Sequence, residues 1–388
     1  MPAIDDIKIN RMVKDLTPVI THASTVTAMS DTLDGLWRGL LAGNSAIYPA
    51  NRFPVKNYNA GIAGCIEWLQ PSGSRSMLYS LCDRLFSNWD PVPSDALVIT
   101  ATTKAGIDNL EKVSTGQSAD MQDILPSSLP AIVSEKLGLD SRGFNVSAAC
   151  ASSTIAVAQA AALISTGCAD VVLVCCLDMV TEFIFSGFSA LRALSPLPCR
   201  PFDRDRNGLS LGEGAAAMLL MSRERASQEH RIPMGTIHGW GVANDATHIT
   251  APARDGCGLI QAISRALQGS GIPADEIHAI CAHGTGTIYN DLMEIAAFKH
   301  IFRDRKVPVF SIKGAIGHTL GAAGGIEVAV GMKALSCQMA PPTIGLKTPM
   351  NEAIGWVSTG PVSFSGDYLL TTNSGFGGIN AALVIGKP

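Results

Sequence analysis

The sequence predicts an α/β fold made of two similar halves. Short apolar segments of strand length alternate with helical segments along the chain, and their continuous apolar character is typical of strands covered on both faces. A second observation is a helix of small residues in each half, at 149–166 and 317–334. Because a helix that is apolar all round belongs in a core, we expect an internal duplication with both helices at its centre.

The predicted elements alternate regularly, as α/β layering requires. The predicted strands span 19–21, 97–100, 144–147, 171–177 and 216–221 in the first half and 236–240, 277–281, 308–311, 369–372 and 382–385 in the second. The predicted helices span 32–42, 153–165, 259–268, 291–302 and 321–335. A polar stretch at 222–231 indicates a connection, so we divide the chain into residues 1–231 and 232–388.

Composition excludes several classes of protein. Of the 388 residues, 47% are hydrophobic and 16% charged, which indicates a large buried core and excludes disorder. The net charge is −4, so there is no basic excess for nucleic-acid binding. The uncharged stretch 143–169 is rich in Ala, Ser and Thr, which predicts a packed helix and no membrane span. The charged segment 1–8 lacks the apolar region of a signal peptide, and we expect a cytoplasmic protein.

Cys150 is the one cysteine of ten with a predicted chemical role. The others lie mostly in apolar company without a CxxC pair, so we expect buried free thiols and no zinc site. Cys150 follows the strand 144–147 and precedes a helix, as in a nucleophile elbow. The positive end of that helix favours a thiolate, and its free N–H groups can stabilise an oxyanion.

Two histidines lie in glycine-rich turns between a strand and a helix. His283 follows the strand 277–281, and His318 precedes the second small-residue helix. Such turns are where α/β folds build their sites. The HGTG sequence at 283–286 lacks the spacing of a phosphate-binding loop, so we predict no nucleotide and no other cofactor.

Ordered motifs along nearly the whole chain resemble those of the decarboxylating β-ketoacyl-[acyl carrier protein] synthases. The motifs are SAACASS at 147–153, RPFDRDRNG at 200–208, AHGTGT at 282–287, KGAIGH at 313–318 and NSGFGGIN at 373–380. The resemblance implies a thiolase-like, five-layer αβαβα architecture with the two small-residue helices at its centre. It also implies a condensing enzyme that makes β-ketoacyl carrier protein in fatty acid, polyketide or polyene biosynthesis.

The resemblance assigns catalytic roles to matching positions. Cys150 would accept an acyl chain from a carrier-protein or CoA thioester. His283 and His318 would donate hydrogen bonds to the malonyl thioester as it loses carbon dioxide, and the resulting carbanion would attack the acyl-Cys150 thioester. The oxyanion would be held by the backbone N–H groups of Cys150 and Phe376.

Further roles are implied for five residues around these three. Lys313 and Glu327 would order the site electrostatically. Thr285 and Thr287 would bind the pantetheine arm, and Phe376 would control access to the acyl tunnel. The acidic and amide residues at 290–294 bind a cation in some relatives, but we predict no metal here.

The segment 182–188 contains three phenylalanines in seven residues. In the family this segment packs near the dimer axis, where the acyl tunnel ends. We therefore predict that Phe183 and Phe185 restrict the tunnel to short or rigid acyl chains, because each ring fills volume that an alkyl chain needs. Ordinary packing at a dimer interface is the alternative interpretation.

The implied partners are an acyl carrier protein with phosphopantetheine-linked groups and a second subunit, in a homodimer or in a heterodimer with a homologous chain. Two alternative functions remain open. One is a non-catalytic chain-length factor, which typically lacks the nucleophilic cysteine. The other is a thiolase, which would need a second catalytic cysteine that the segment 373–380 does not provide.

Overall fold

The structure, a computed structural model, describes residues 14–388. The segment 1–8, for which we predict no signal peptide, lies outside these residues. The strands are β1 (Pro18–Thr27), β2 (Tyr48–Pro49), β3 (Ile62–Gly64), β4 (Leu97–Ala101), β5 (Phe144–Val146), β6 (Val171–Asp178), β7 (Leu211–Gly212), β8 (Gly214–Ser222), β9 (Gly235–Asn244), β10 (Ile277–Cys281), β11 (Val309–Phe310), β12 (Met339–Ala340), β13 (Val362–Ser363), β14 (Tyr368–Gly375) and β15 (Ile379–Gly386).

The helices are α1 (Leu33–Leu41), α2 (Met77–Leu85), α3 (Asp108–Ser114), α4 (Leu129–Leu137), α5 (Ser152–Ser165), α6 (Glu182–Ala190), α7 (Arg223–Gln228), α8 (Cys257–Ser270), α9 (Ile288–Phe302), α10 (Lys313–Ile316) and α11 (Ala323–Cys337). Short 3₁₀ helices occur at Met121–Ile124, Pro126–Ser128, Ala274–Glu276, Leu320–Ala322 and Asn351–Ala353. All ten predicted strands and all five predicted helices are present.

The ten predicted strands form one hydrogen-bonded sheet whose two halves repeat the same topology. The order is β11-β10-β14-β15-β9-β1-β8-β6-β4-β5. In each half the three outer strands run parallel and the two strands nearest the junction are antiparallel to their neighbours. The halves meet where β1 pairs with β9 through only two residue pairs, Val19–Thr236 and Ile20–Gly235. The duplicated α/β architecture is therefore confirmed.

Alternate strand residues face opposite layers, which gives the five-layer order. In β6, Val172, Val174 and Cys176 belong to the core cluster that contains α5 and α11. Their neighbours Val171 and Leu173 belong to the outer cluster with α2 and α4. In the second half, the outer face of the sheet packs against α8 and α9. Central strands such as β6 and β8 are buried on both faces, as their continuous apolar sequence predicts, whereas the edge strand β5 is partly exposed.

Small residues allow α5 and α11 to lie side by side in the central layer. A methyl group at Gly324 would lie 2.0 Å from the Thr154 hydroxyl and 2.9 Å from the Thr154 backbone nitrogen. The stretch Leu320–Cys337 is long and apolar enough to cross a membrane, but 83% of it is buried inside the protein. This burial is that of a core helix.

The connection at 222–231 contains a helix, α7, which the sequence analysis missed. The Ser222 side chain caps it by accepting the Arg225 N–H at 3.1 Å. Arg225 also pairs with Asp95 at 3.0 Å. The charged residues that suggested a connection therefore stabilise a short surface helix. The sequence analysis also missed α2, α3, α4, α6 and α10, which have four to nine residues. Length alone does not explain this, because α1 also has nine residues and was predicted.

Candidate active site

Cys150 lies in a strained turn between β5 and α5. The preceding residue, Ala149, has a φ of +48°, a left-handed conformation that costs a residue with a side chain about 1–2 kcal/mol. The Ser152 hydroxyl closes the turn by accepting the Ala148 N–H at 2.8 Å and donating to the Ala149 carbonyl at 2.6 Å. Strain of this kind persists where surrounding contacts hold it and is common at functional sites.

The His283 turn is held by a buried carboxylate. Glu294 of α9 accepts the backbone N–H groups of His283 and Gly284, both at 2.7 Å, and the Asn290 amide at 2.9 Å. Burial and the nearby Asp291 raise the pKa of Glu294 to about 8. These side chains therefore serve the turn itself, and we have no reason to place a cation among them.

The His318 turn is fixed through its backbone. The His318 N–H donates to the Ser210 carbonyl at 2.7 Å, and its carbonyl accepts from Gly212 at 3.0 Å. Two residues later, Leu320 has a φ of +54°. This turn and the Cys150 turn occupy equivalent positions in the two halves, because each lies between the outermost strand of its half and a central helix.

The structure brings Cys150, His283 and His318 together. A side-chain sulfur or ring nitrogen of each lies within 4.8 Å of the other two. The two imidazole centroids are 5.1 Å apart and the rings are nearly perpendicular, at 83°. All three side chains are buried, yet all three line the same cavity.

Hydrogen bonds define the proton positions on both imidazoles. The Leu320 N–H donates to His318 Nδ1 at 3.1 Å, and Asn373 Nδ2 lies 3.2 Å from His283 Nδ1. The Asn373 amide is oriented by the Thr154 hydroxyl, which donates to its oxygen. A ring whose Nδ1 accepts a hydrogen bond carries its proton on Nε2. Both histidines therefore offer an Nε2–H donor.

Such donors suit a substrate oxygen better than a metal ion. Cys and His are common metal ligands, and three of them together resemble part of a zinc site. A ligating imidazole nitrogen must be unprotonated, however, whereas the remaining nitrogen of each ring here carries the proton. Burial, together with the positive charge of Lys313, lowers the pKa of His283 and of His318 well below the usual range, so both rings stay neutral.

Lys313 and Glu327 lie behind the histidines and do not line the cavity. They form a buried ion pair, with 2% and 1% of their side chains exposed. Glu327 also accepts the Asn373 amide at 2.7 Å, so the chain of contacts runs from Lys313 through Glu327 and Asn373 to His283. Burial raises the pKa of Glu327, against the opposing effect of Lys313.

Burial opposes the thiolate that the N-terminus of α5 favours at Cys150. Burial, with smaller effects from Asp178 and Glu327, raises the pKa of the Cys150 thiol to about 12. Lys313 and the backbone N–H of Phe376 act in the opposite direction. The resting sulfur is therefore a thiol whose proton must leave as it reacts.

The cavity above the sulfur has a volume of about 370 Å³. Thr285 and Thr287 line it, with their hydroxyls 2.9 Å apart. Phe376 also lines it and stacks on Phe188, with ring centroids 5.7 Å apart and planes at 26°. Two residues at the rim, Ile288 and Tyr289, are 52% and 58% exposed. The cavity thus connects the sulfur with the surface.

The structure does not bring Phe183 or Phe185 to this cavity. Phe183 is 49% exposed on the surface. Phe185 is fully buried and packs on Phe53 and Tyr58, with ring centroids 5.3 Å apart in each pair. The third ring of the same segment, Phe188, is the one that reaches the cavity, so a role for the other two in a tunnel stays a prediction about an assembly.

Sequence reasoning also missed Asn373 and Glu294 as organisers of the site. Asn373 begins a motif that carried the family resemblance, and it is a fully buried amide at a strand end. A buried polar residue needs hydrogen-bond partners, and this was the available signal. Glu294 lies eleven residues after His283, a distance along the chain that did not indicate contact.

This fold, with a cysteine and two neutral histidines at the meeting point of its halves, defines a condensing acyltransferase of the thiolase type. Residues 91–226 match the family model "Beta-ketoacyl synthase, N-terminal domain", and residues 234–347 match "Beta-ketoacyl synthase, C-terminal domain". The 3-oxoacyl-[acyl-carrier-protein] synthase 2 of Synechocystis sp. is 30% identical over 95% of this chain and 97% of that protein. The chain belongs to the β-ketoacyl synthase family.

Other relatives and solved structures agree with this assignment. The 3-oxoacyl-[acyl-carrier-protein] synthase 2 of Vibrio cholerae is 28% identical over 94% of this chain and 98% of its own length. The ishigamide ketosynthase/chain length factor superposes with a TM-score of 0.88 at 27% identity, covering 97% of this chain and 100% of the other. A ketosynthase in complex with its chain length factor from Xenorhabdus doucetiae superposes with a TM-score of 0.84 at 25% identity, covering 96% of this chain and 98% of the other.

Proposed function

We propose that this chain is a catalytic β-ketoacyl synthase, which condenses a Cys150-bound acyl group with malonyl carrier protein. The observation that carries the proposal is the convergence of Cys150, His283 and His318 within 4.8 Å in one cavity. A thiol is both a good nucleophile and a good leaving group. Two neutral Nε2–H donors match the negative charge that develops on an enolate oxygen.

The first step loads the acyl group. The Cys150 sulfur forms a bond to the thioester carbonyl carbon, and the bond to the carrier sulfur breaks. The proton of the Cys150 thiol ends on the released carrier thiol. The Phe376 N–H, which already points at the sulfur, and the Cys150 N–H would hold the oxyanion of this step.

The second step makes the new carbon–carbon bond. Malonyl carrier protein loses carbon dioxide, and the electron pair of the broken bond moves into an enolate. The Nε2–H groups of His283 and His318 stabilise the enolate oxygen. The enolate carbon then attacks the acyl-Cys150 carbonyl, the bond to Sγ breaks, and the released sulfur takes up a proton from solvent.

The surrounding residues support these two steps. Thr285 and Thr287 would bind the pantetheine arm, since both hydroxyls face the cavity region. Lys313 and Glu327 act through Asn373 on His283. The partners proposed are acyl and malonyl carrier proteins and a second subunit, identical or homologous. The expectation that the other cysteines are buried is wrong for Cys168, Cys257 and Cys337, which are exposed. All ten cysteines are free, which is consistent with a reducing, cytoplasmic location.

The chain-length-factor alternative is kept because two structural relatives are named as a ketosynthase together with a chain length factor. The presence of Cys150 in a complete site argues against it here. A thiolase would need a second cysteine at the cavity, and Cys150 is the one cysteine among the lining residues in the part of the chain that the structure describes.

The test is a set of single substitutions assayed by partial reaction. Cys150→Ala should abolish the acyl adduct seen by intact-mass spectrometry, whereas Cys168→Ala, at an exposed thiol, should leave it unchanged. His283→Ala and His318→Ala should each block carbon dioxide release from malonyl carrier protein while still allowing acylation. An acyl adduct on the Cys150→Ala protein, or unaltered carbon dioxide release by both histidine variants, would refute the proposal.

A further inference from the structure

A carboxylate lies buried beneath the turn that carries His318. Asp178 ends β6 and is fully buried. Across residues 14–388, the hydrogen-bond donors to its side chain are all neutral. The hydroxyls of Thr102 and Thr103 and the N–H of Gly321 each donate at 2.7 Å, and the N–H groups of Thr103 and Lys104 add longer contacts at 3.2–3.3 Å.

Consecutive backbone groups connect this carboxylate with the His318 ring. The Leu320 N–H donates to His318 Nδ1, and the next N–H along the chain, that of Gly321, donates to Asp178 Oδ2. Leu320 has a left-handed φ of +54°, which is unfavourable for a residue with a side chain. Such a conformation persists only where neighbouring contacts hold it, and the short Gly321–Asp178 bond is one of these contacts.

The absence of a side chain at residue 321 permits this close approach. A Cβ at Gly321 would lie 2.7 Å from Asp178 Oδ2 and 3.2 Å from the methyl carbon of Thr103. A contact under 3.0 Å would push the carboxylate and the turn apart. The backbone of Gly321 is therefore in direct contact with the Asp178 side chain.

We propose that Asp178 is a positioning residue for His318, an inference that rests on the proposed decarboxylating function of that histidine. By holding Gly321, Asp178 keeps the Leu320 N–H directed at Nδ1 and so keeps the ring proton on Nε2, toward the cavity. Asp178 does not line the cavity and reaches the His318 ring through the backbone of Leu320 and Gly321. Its charge also raises the pKa of Cys150, so removal of that charge should not slow acylation. Loss of the contact should disturb decarboxylation more than acylation of Cys150.

The test compares Asp178→Asn with Thr102→Val. In Asp178→Asn an NH₂ group replaces one carboxylate oxygen. The two threonine hydroxyls can turn to accept from it, but the backbone N–H groups of Thr103, Lys104 and Gly321 must compete for the one remaining acceptor oxygen. Thr102→Val removes the hydroxyl donor to Oδ1 but leaves the Oδ2–Gly321 bond intact. Carbon dioxide release from malonyl carrier protein should fall about tenfold or more in Asp178→Asn, with acylation of Cys150 slowed by no more than about twofold. Thr102→Val should be close to wild type in both reactions.

A second readout reports on the ring itself. The ¹⁵N shifts of the His318 ring, assigned by comparison with His318→Ala, should show a single Nε2–H tautomer in the wild type and a mixture in Asp178→Asn, while those of His283 stay unchanged. Equal losses in the two partial reactions, or wild-type His318 shifts in the variant, would overturn the proposal.

Two further arms keep the outcome decisive. If Asp178→Asn does not fold, Gly321→Ala tests the same contact from the other side and should give the same selective loss. If the wild type releases no carbon dioxide from malonyl carrier protein, the proposed function fails, but the ring shifts still decide whether Asp178 positions His318.

Discussion

At the scale of single residues, the burial of Cys150 decides how the sulfur reacts. Because burial raises the pKa of the thiol to about 12, the thiolate fraction of the empty enzyme should increase about tenfold with each pH unit below that value. The rate of Cys150 alkylation by iodoacetamide should therefore rise steadily between about pH 7 and pH 10. Intact-mass spectrometry would follow the reaction, with Cys150→Ala as the control. A rate that levels off near neutral pH would show a thiolate at rest.

The site residues could be predicted from the sequence, but the protonation of their rings could not. The motifs around Cys150, His283 and His318 were sufficient to predict that these side chains share a site. They could not indicate the tautomers, because the partners of the two Nδ1 atoms are the Asn373 amide and the Leu320 backbone. Asn373 comes ninety residues after His283, and a backbone group leaves no trace in the sequence.

At the scale of elements, the close contact between α5 and α11 is the most sensitive packing feature. Gly324→Ala would place a methyl group 2.0 Å from the Thr154 hydroxyl, and overpacking of this kind typically costs about 1–3 kcal/mol. Gly269→Ala in α8 is the control, since nothing lies within 4 Å of the added methyl, and it should be neutral or slightly stabilising. Urea unfolding would measure the free energy of unfolding of both variants. Equal values for the two would contradict the packing argument.

At the same scale, we predict that the Phe188–Phe376 stack limits acyl size in the single chain. Phe188→Ala should enlarge the cavity and shift selectivity toward longer acyl carriers, because the ring occupies space beside the acyl-accepting sulfur. Phe183→Ala is the matched control, since that ring lies on the surface. Competition between short and long acyl carriers would measure the change. If selectivity changes in Phe183→Ala but not in Phe188→Ala, the prediction for Phe188 is wrong, and the surface ring of Phe183 limits acyl length within an assembly.

Prediction of elements from sequence succeeded for the buried strands and central helices and failed for short surface helices. Strands such as β10 are continuous apolar runs, and the predicted bounds 277–281 are those observed. Helix α6 was missed because its nine residues include three phenylalanines, which indicate packing but no periodicity. Which of those rings reaches the cavity depends on tertiary contacts that local sequence does not encode.

At the scale of the whole molecule, we propose that residues 1–231 and 232–388 are structural repeats that cannot fold apart. Helix α11 is buried almost throughout, and part of its cover is α5 from the other half. The fragment 232–388 expressed alone should therefore be unfolded or aggregated. Co-expression of both fragments should give a complex with native circular dichroism. Cooperative unfolding of the isolated fragment 232–388 would disprove this interdependence.

The equivalence of the Cys150 and His318 turns has a consequence for how this architecture diversifies. In the proposed mechanism, one of these two equivalent turns carries the nucleophile and the other carries a hydrogen-bond donor. The edge strands that precede the two turns differ in burial, since β11 is buried whereas β5 has one exposed and two half-buried residues. A single substitution in one turn could therefore abolish catalysis while the fold is kept. The same fold can thus serve as a catalytic subunit or as a non-catalytic subunit that pairs with one.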